Sequence, residues 1–216
     1  MKLVNSLGPN PRCVRMFMAE KGLSLETIEL DVVSGDNRKS PYTDKNPGGQ
    51  MPSLELDDGS YLAETVAICE YLEDLHPSPA LIGSTPEEKA QTRMWQRRVE
   101  MNITEHLYNG FRYAEGLEMF KTRLHCLPEA AAGLKEIVQE RLAWLDGLIE
   151  GKSFIVGERF TVADVVLYSA LDFGAGVGQT INPQLKNMTA WFDRVSARPS
   201  ADASLHEKAK GRMRGA

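Results

Sequence analysis

The chain has 216 residues, 42% hydrophobic and 25% charged, with 25 basic against 30 acidic residues and a formal charge of −5. That length buries either one large core or two modest ones, and the charge gives no reason to expect nucleic acid or an anionic membrane as partner. Cys13, Cys69 and Cys126 stand too far apart for a zinc site or a disulfide framework, and without a signal-peptide h-region or a membrane-length apolar run the chain is expected to be cytoplasmic, with no metal.

Lys2 to Asn5 predicts a short strand. Asn10-Pro11 predicts a helix start, with Asn10 as N-cap and Pro11 at the first helical position. Val14, Phe17 and Met18 give that helix its apolar face, and Gly22 ends it. Leu25, Ile28 and Leu30 predict a second strand, so the first pair closes a β-α-β unit and runs parallel. A polar stretch from Ser34 to Gly49 carries a short helix around Ser40 to Lys45. The runs Met51–Leu56 and Ser60–Leu62, separated by Asp57-Asp58-Gly59, predict a β-hairpin. Val66, Ile68, Tyr71, Leu72 and Leu75 then recur at helical spacing.

Three prolines, Gly83 and Ser84 between His76 and Pro86 have the composition of a linker. Beyond it strand signals nearly vanish. One long helical stretch is predicted over 87–120, bent near Gly110, followed by helices over 128–149, 161–171 and 184–197. Up to residue 80 there are 13 acidic and 7 basic residues, and beyond it 17 and 18. An anionic ligand of the first part must therefore be held by local donors.

The runs Asn46-Pro-Gly-Gly-Gln-Met-Pro-Ser-Leu-Glu-Leu, Asp58-Gly-Ser-Tyr-Leu-Ala-Glu-Thr-Val-Ala-Ile and Phe160-Thr-Val-Ala-Asp-Val-Val-Leu occur in the order and spacing of a known family. The chain resembles the cytosolic glutathione transferases nearly end to end, with theta-, zeta- and nu-like features. The resemblance implies an α/β plus all-α fold, with a thioredoxin-like domain over 1–78, a linker over 79–86 and an all-helical domain over 87–216. It implies glutathione as co-substrate, a small hydrophobic electrophile as second substrate, and a symmetric homodimer.

Within that resemblance Pro52 follows a cis bond, and Met51 offers its main-chain N–H and C=O to the cysteinyl backbone of glutathione, a minimal strand addition. Glu64-Thr65 sits where a strand passes into a helix, whose free N–H groups and partial positive charge suit the γ-glutamyl carboxylate. Glu64 accepts from the ligand's ammonium. The glycyl carboxylate needs an amide or cation, from Gln50 with Lys39 or Arg38. Thr161 and Asp164 have the spacing of a reciprocal helix cap, with Phe160 stapled onto Val165.

The remaining task is to present glutathione as thiolate, since a free thiol with a pKa of roughly 8.5 is mostly protonated at neutral pH. The loop Asn5-Ser-Leu-Gly-Pro-Asn-Pro-Arg12 holds neither Tyr nor Cys, and the position of the serine of theta- and zeta-like members falls on Gly8. Asn10, which falls where nu-like members carry an asparagine, and Ser6 are the candidates for the sulfur, against a reading of Asn10 as a plain helix cap. Arg12 supplies positive potential or faces solvent. Cys13, near a helix start, is a candidate for mixed-disulfide chemistry. Tyr108, Phe111 and Tyr113 fall where the family lines its second-substrate pocket, and Trp95, Trp144 and Trp191 are expected in the core. Two other readings stay open: a nu-like glutathione-dependent disulfide reductase, and a non-catalytic binding protein on the same fold.

Overall fold

The computed structural model describes residues 1–209. The C-terminal end of the helical domain expected to reach residue 216 lies outside them. Four strands, β1 (Lys2–Asn5), β2 (Glu26–Glu29), β3 (Ser53–Glu55) and β4 (Tyr61–Ala63), form one sheet in the order β2-β1-β3-β4. β1 and β2 are parallel, with Val4 opposite Ile28. The other pairs are antiparallel, with Leu54 opposite both Leu3 and Leu62.

Alternation along the strands gives the sheet two covered faces. Leu3 and Leu54 point into the main core, against α1 (Pro9–Glu20) and α3 (Thr65–Leu75). Val4 points the other way, into a small cluster with Met51 and with Tyr42 of the short helix α2 (Tyr42–Lys45). Helix α1 stops as expected: Gly22 takes φ 65°, while Leu23 N donates to Met18 O at 2.9 Å.

The helical half begins with α4 (Pro86–Val99), capped by the Thr85 side chain, which accepts from Glu88 N. It does not bend near Gly110. A π-helical turn at Glu100–Thr104 breaks the long stretch, and α5 (Glu105–Arg112) continues it to a second break before α6 (Leu117–Phe120). Gly110 instead allows close approach: a Cβ there would lie 3.1 Å from Lys135 Cγ and 3.3 Å from Gln179 Oε1. Helices α7 (Ala131–Leu148), α8 (Val162–Gly176), α9 (Lys186–Ser196) and α10 (Pro199–Ala203) complete the fold. Twelve of the fifteen residues of α8 are buried, so it forms the axis of this half. Trp191 is buried beside it, but Trp144 stands exposed on α7, contrary to the expected core position. Among the described residues no helix is long and apolar enough to cross a membrane.

The capping box at the start of α8 is present, and it is larger than the motif implies. The buried Asp164 carboxylate accepts from Thr161 N at 2.9 Å and Thr161 Oγ1 at 3.1 Å. It also accepts from Ile155 N and Trp191 Nε1, each at 2.9 Å. One side chain thus ties the start of α8 to the preceding loop and to α9.

The two halves meet along α1 and α8. Arg12 neither faces solvent nor lends its charge to a cleft. It is 2% exposed, is ion-paired to Asp172 of α8, and donates to Ala201 O at 3.1 Å and Ser204 Oγ at 3.3 Å. Its guanidinium carbon lies 5.2 Å from the Tyr168 ring centroid. The helix start explains the misplacement: α1 begins at Pro9, two residues earlier than expected, and Arg12 falls on its buried face.

A candidate active-site cleft between the two halves

A cleft of about 640 Å³ opens where the sheet's C-terminal edge faces the α4–α5 junction. Asn10, Gln50, Met51, Pro52, Glu64 and Thr65 all line it, brought together from three separate segments. The Met51–Pro52 bond is cis. Neither the N–H nor the C=O of Met51 is bonded to another described residue, whereas Gln50 O accepts from Tyr42 Oη at 2.6 Å and Asn46 Nδ2 at 2.9 Å. The loop before β3 is therefore clamped on its protein side, leaving the Met51 main chain open to the cleft.

Helix α3 starts at the opposite wall without a side-chain cap. The first bond back to Glu64 O comes from Ile68 N at 3.0 Å, so the amides of Thr65, Val66 and Ala67 are free. Glu64 takes φ 71°, the one positive φ of a non-glycine among the described residues. Such a conformation costs of order 1–3 kcal/mol and concentrates at functional sites. No side chain caps the start of this helix.

The start of α1 is equally open. Its N-cap is Gly8, and no side chain caps it. Pro9 and Pro11 have no N–H, and Arg12 N already donates to Gly8 O at 3.2 Å. Asn10 is thus the residue that presents both an unengaged amide N–H and an unengaged carboxamide at this helix start. It is the second residue of the helix and not its cap. Gly8 takes φ 138°, a region L side chains rarely adopt, so a serine cannot simply be restored there.

Two predicted residues stay away from this cleft. Ser6 is 1% exposed, and its hydroxyl donates to Leu30 O at 2.7 Å and accepts from Val32 N at 3.3 Å. Its capacity is used in stitching β1 to the exit of β2. Lys39 follows the 3-10 turn Asp36–Arg38 in an extended conformation, is exposed, and pairs with Asp36 at 3.0 Å. Its neighbour Arg38 reaches the adjoining lobe with Gln50 instead. Cys13 touches the cleft wall but is 2% exposed. It sits against Cys69, whose thiol is pushed well up by burial and by a hydrogen bond with Cys13.

The helical half supplies groups that no local motif marks. Arg97, Glu100, Met101, Thr104 and Glu105 line the polar part of the cleft from α4, the π-turn and α5. Burial raises the Glu100 carboxyl, offset by Arg97 at 3.8 Å and reinforced by the charges of Glu64 and Glu105. Cleft residues on a π-turn fit the tendency of such turns to fall at functional sites. A second lobe of about 220 Å³ adjoins Asn10, Gln50 and Met51 and is walled by apolar side chains including Phe111, Phe120 and Phe173. Tyr108 lines both lobes, its phenol held above its usual range by burial, and so stays a neutral hydroxyl. Tyr113 lines neither.

A family model for the N-terminal domain of glutathione S-transferase matches residues 8–75, and one for its C-terminal domain matches residues 125–199. The sequence is 31% identical to maleylacetoacetate isomerase of Pseudomonas aeruginosa, over 76% of this chain and 78% of that protein. It is 29% identical to glutathione S-transferase 2 of Saccharomyces cerevisiae, over 94% and 88%. A crystal structure of a glutathione S-transferase domain-containing protein from Marinobacter aquaeolei superposes with a TM-score of 0.85 at 35% identity, covering 93% of this chain and 99% of that one.

Proposed function

The chain belongs to the glutathione S-transferase family, and we propose that its cleft binds glutathione and that it conjugates the thiolate to a small hydrophobic electrophile. The observation that carries this reading is the convergence of Met51's free main chain, the uncapped start of α3 and the unengaged Asn10 on one cleft. Glutathione has complementary parts in that order. The free amides of α3 suit the γ-glutamyl carboxylate, and Glu64, Glu100 and Glu105 suit its ammonium. The Met51 backbone pairs with the cysteinyl unit. Gln50 and Arg38 serve the glycyl carboxylate, while Lys39, paired with Asp36, lines neither lobe.

Asn10 then stands at the sulfur. Its carboxamide and main-chain N–H donate to the thiolate, lowering the thiol pKa as the proton leaves to solvent. The thiolate attacks the electron-poor carbon in the adjoining apolar lobe, the C–S bond forms, and the leaving group departs with its electron pair. The same activated sulfur also suits reduction of a mixed disulfide, the nu-like alternative, in which it attacks a disulfide sulfur and expels a thiolate.

The protein is expected to be retained on immobilised glutathione and to turn over a chloro-nitro aromatic faster than hydroxyethyl disulfide. The reverse preference assigns it to disulfide reduction, and retention without either activity leaves a binding protein. Asn10→Ala is expected to lower kcat/KM about 10- to 100-fold, the scale of one charge-assisted hydrogen bond. Thiol ionisation, followed by thiolate absorbance on titration of the bound complex, should move back toward the free value. An unchanged titration sinks the Asn10 assignment. The reading takes the protein to be the symmetric homodimer that the family resemblance implies, which sizing tests. The reading also supposes a cytoplasmic protein, where reduced glutathione is available.

A further inference from the structure

The apolar lobe has an unusual charge distribution. Phe111 meets Phe173 edge-on at 5.0 Å between centroids and Phe120 at 6.1 Å, which forms a slot suited to a ring. Arg38, Arg112 and Arg123 border the same lobe, and no Asp or Glu does. None of the three is ion-paired to a described residue, and the acids of the neighbouring lobe, Glu64, Glu100 and Glu105, pair with none of them. Arg38 is depressed by burial and by the like charges of Arg123 and Arg112, and its Nε is buried without a partner.

The three arginines are not equally free. Arg123 spends both terminal nitrogens on Val32 O at 2.7 Å and Val33 O at 2.9 Å, which fastens the loop after β2 to the helical half. Arg38 is bonded to Gly48 O at 3.1 Å and lies beside Gln50, at the glycyl end of the cleft. Arg112 has a single hydrogen bond, from Nη1 to Asn109 Oδ1 at 3.0 Å. Its guanidinium lies 5.9 Å from the Tyr108 ring centroid and 5.8 Å from that of Phe120, so aromatic faces hold it at the junction of the two lobes. A guanidinium kept in place by rings, with its remaining donors open and no described acid paired with it, is suited to receive a carboxylate on the side of the lobe that no Asp or Glu lines.

Resting on the glutathione-transfer reading above, we propose that the preferred electrophile is an apolar, ring-bearing compound that carries a carboxylate, and that Arg112 selects it. The ring occupies the Phe111–Phe120–Phe173 slot. The carboxylate meets the Arg112 fork, which also neutralises charge that a neutral electrophile would leave facing an apolar wall.

The test compares 4-chloro-3-nitrobenzoate with its methyl ester. In both, glutathione sulfur bonds to the ring carbon and chloride leaves with the bonding pair. The acid-to-ester ratio of kcat/KM, divided by the uncatalysed ratio, is expected to exceed unity in the native protein. It should fall at least about tenfold in Arg112→Gln and less in Arg112→Lys. A native preference for the ester, or an equal loss for both acceptors in Arg112→Gln, overturns the proposal, because the residue would then be serving glutathione or the fold. Binding of the same acid and ester is titrated calorimetrically with and without S-methylglutathione, which cannot react. Selective, Arg112-dependent binding of the acid without turnover upholds the carboxylate site while refuting transfer chemistry. Equal binding of acid and ester by the native protein refutes the site whatever the protein catalyses.

Discussion

Replacing Arg12 by Leu is expected to destabilise the protein by about 3–5 kcal/mol, because it leaves the Asp172 carboxylate buried without its guanidinium. Both side chains are within a few per cent of full burial, so solvent does not screen the loss. Ala201 O and the Ser204 hydroxyl would lose donors at the same time. For a chain of this size the midpoint of thermal unfolding should fall by roughly 10 °C. Urea unfolding followed by tryptophan fluorescence checks this, since the buried Trp191 reports on the helical half that carries Asp172. The double replacement Arg12→Met with Asp172→Leu should recover most of the loss, since an apolar pair of similar volume often replaces a buried ion pair at little cost. A single variant as stable as the native protein would show that the contact between α1 and α8 does not hold the halves together. Any loss of glutathione affinity should follow unfolding, because Arg12 does not line the cleft.

Asp164→Ala is the second large effect, again about 3–5 kcal/mol. A typical helix cap contributes about 1 kcal/mol, but this carboxylate satisfies four donors from three separate places in the chain. Each buried donor left alone costs about 1–3 kcal/mol, less whatever water recovers. Thr161→Ala removes only the hydroxyl and should cost about 1 kcal/mol. The contrast between the two tests the network directly. Equal losses in denaturant midpoint would mean that Asp164 acts as an ordinary cap, with Ile155 N and Trp191 Nε1 contributing little.

The residues proposed to bind glutathione stand out in the sequence because each occupies a junction with a local signature. Pro52 opens a strand where a proline is tolerated, and Glu64-Thr65 stands between a hairpin and an amphipathic helix. Ser6 and Asn10 were not separable in the sequence. Four residues apart on a polar loop, both have hydrogen-bonding side chains near a strand end, and their fates depend on where β2 leaves the sheet. Leu30 and Val32 come within reach of Ser6 and consume its hydroxyl, while α1 starting at Pro9 turns Asn10 toward the cleft. Arg38 ends the 3-10 turn and Lys39 follows it in extended conformation, and of the two it is Arg38 that lines the cleft's second lobe.

By itself the sequence determined the β-α-β and β-β-α order, the helical half and the cap of α8. These rest on periodicity, turn chemistry and spacing within a few residues, while the glutathione-type motif came from the family resemblance. Only the tertiary structure decided which groups share the cleft with them. Arg97, Glu100, Glu105 and Arg112 reach it from α4 through α5, and their aim depends on a π-turn and on the docking of the two halves through Arg12 and Asp172. A charged residue on an amphipathic helix reads the same whether it faces solvent or a ligand, because local spacing records the face and not what lies opposite.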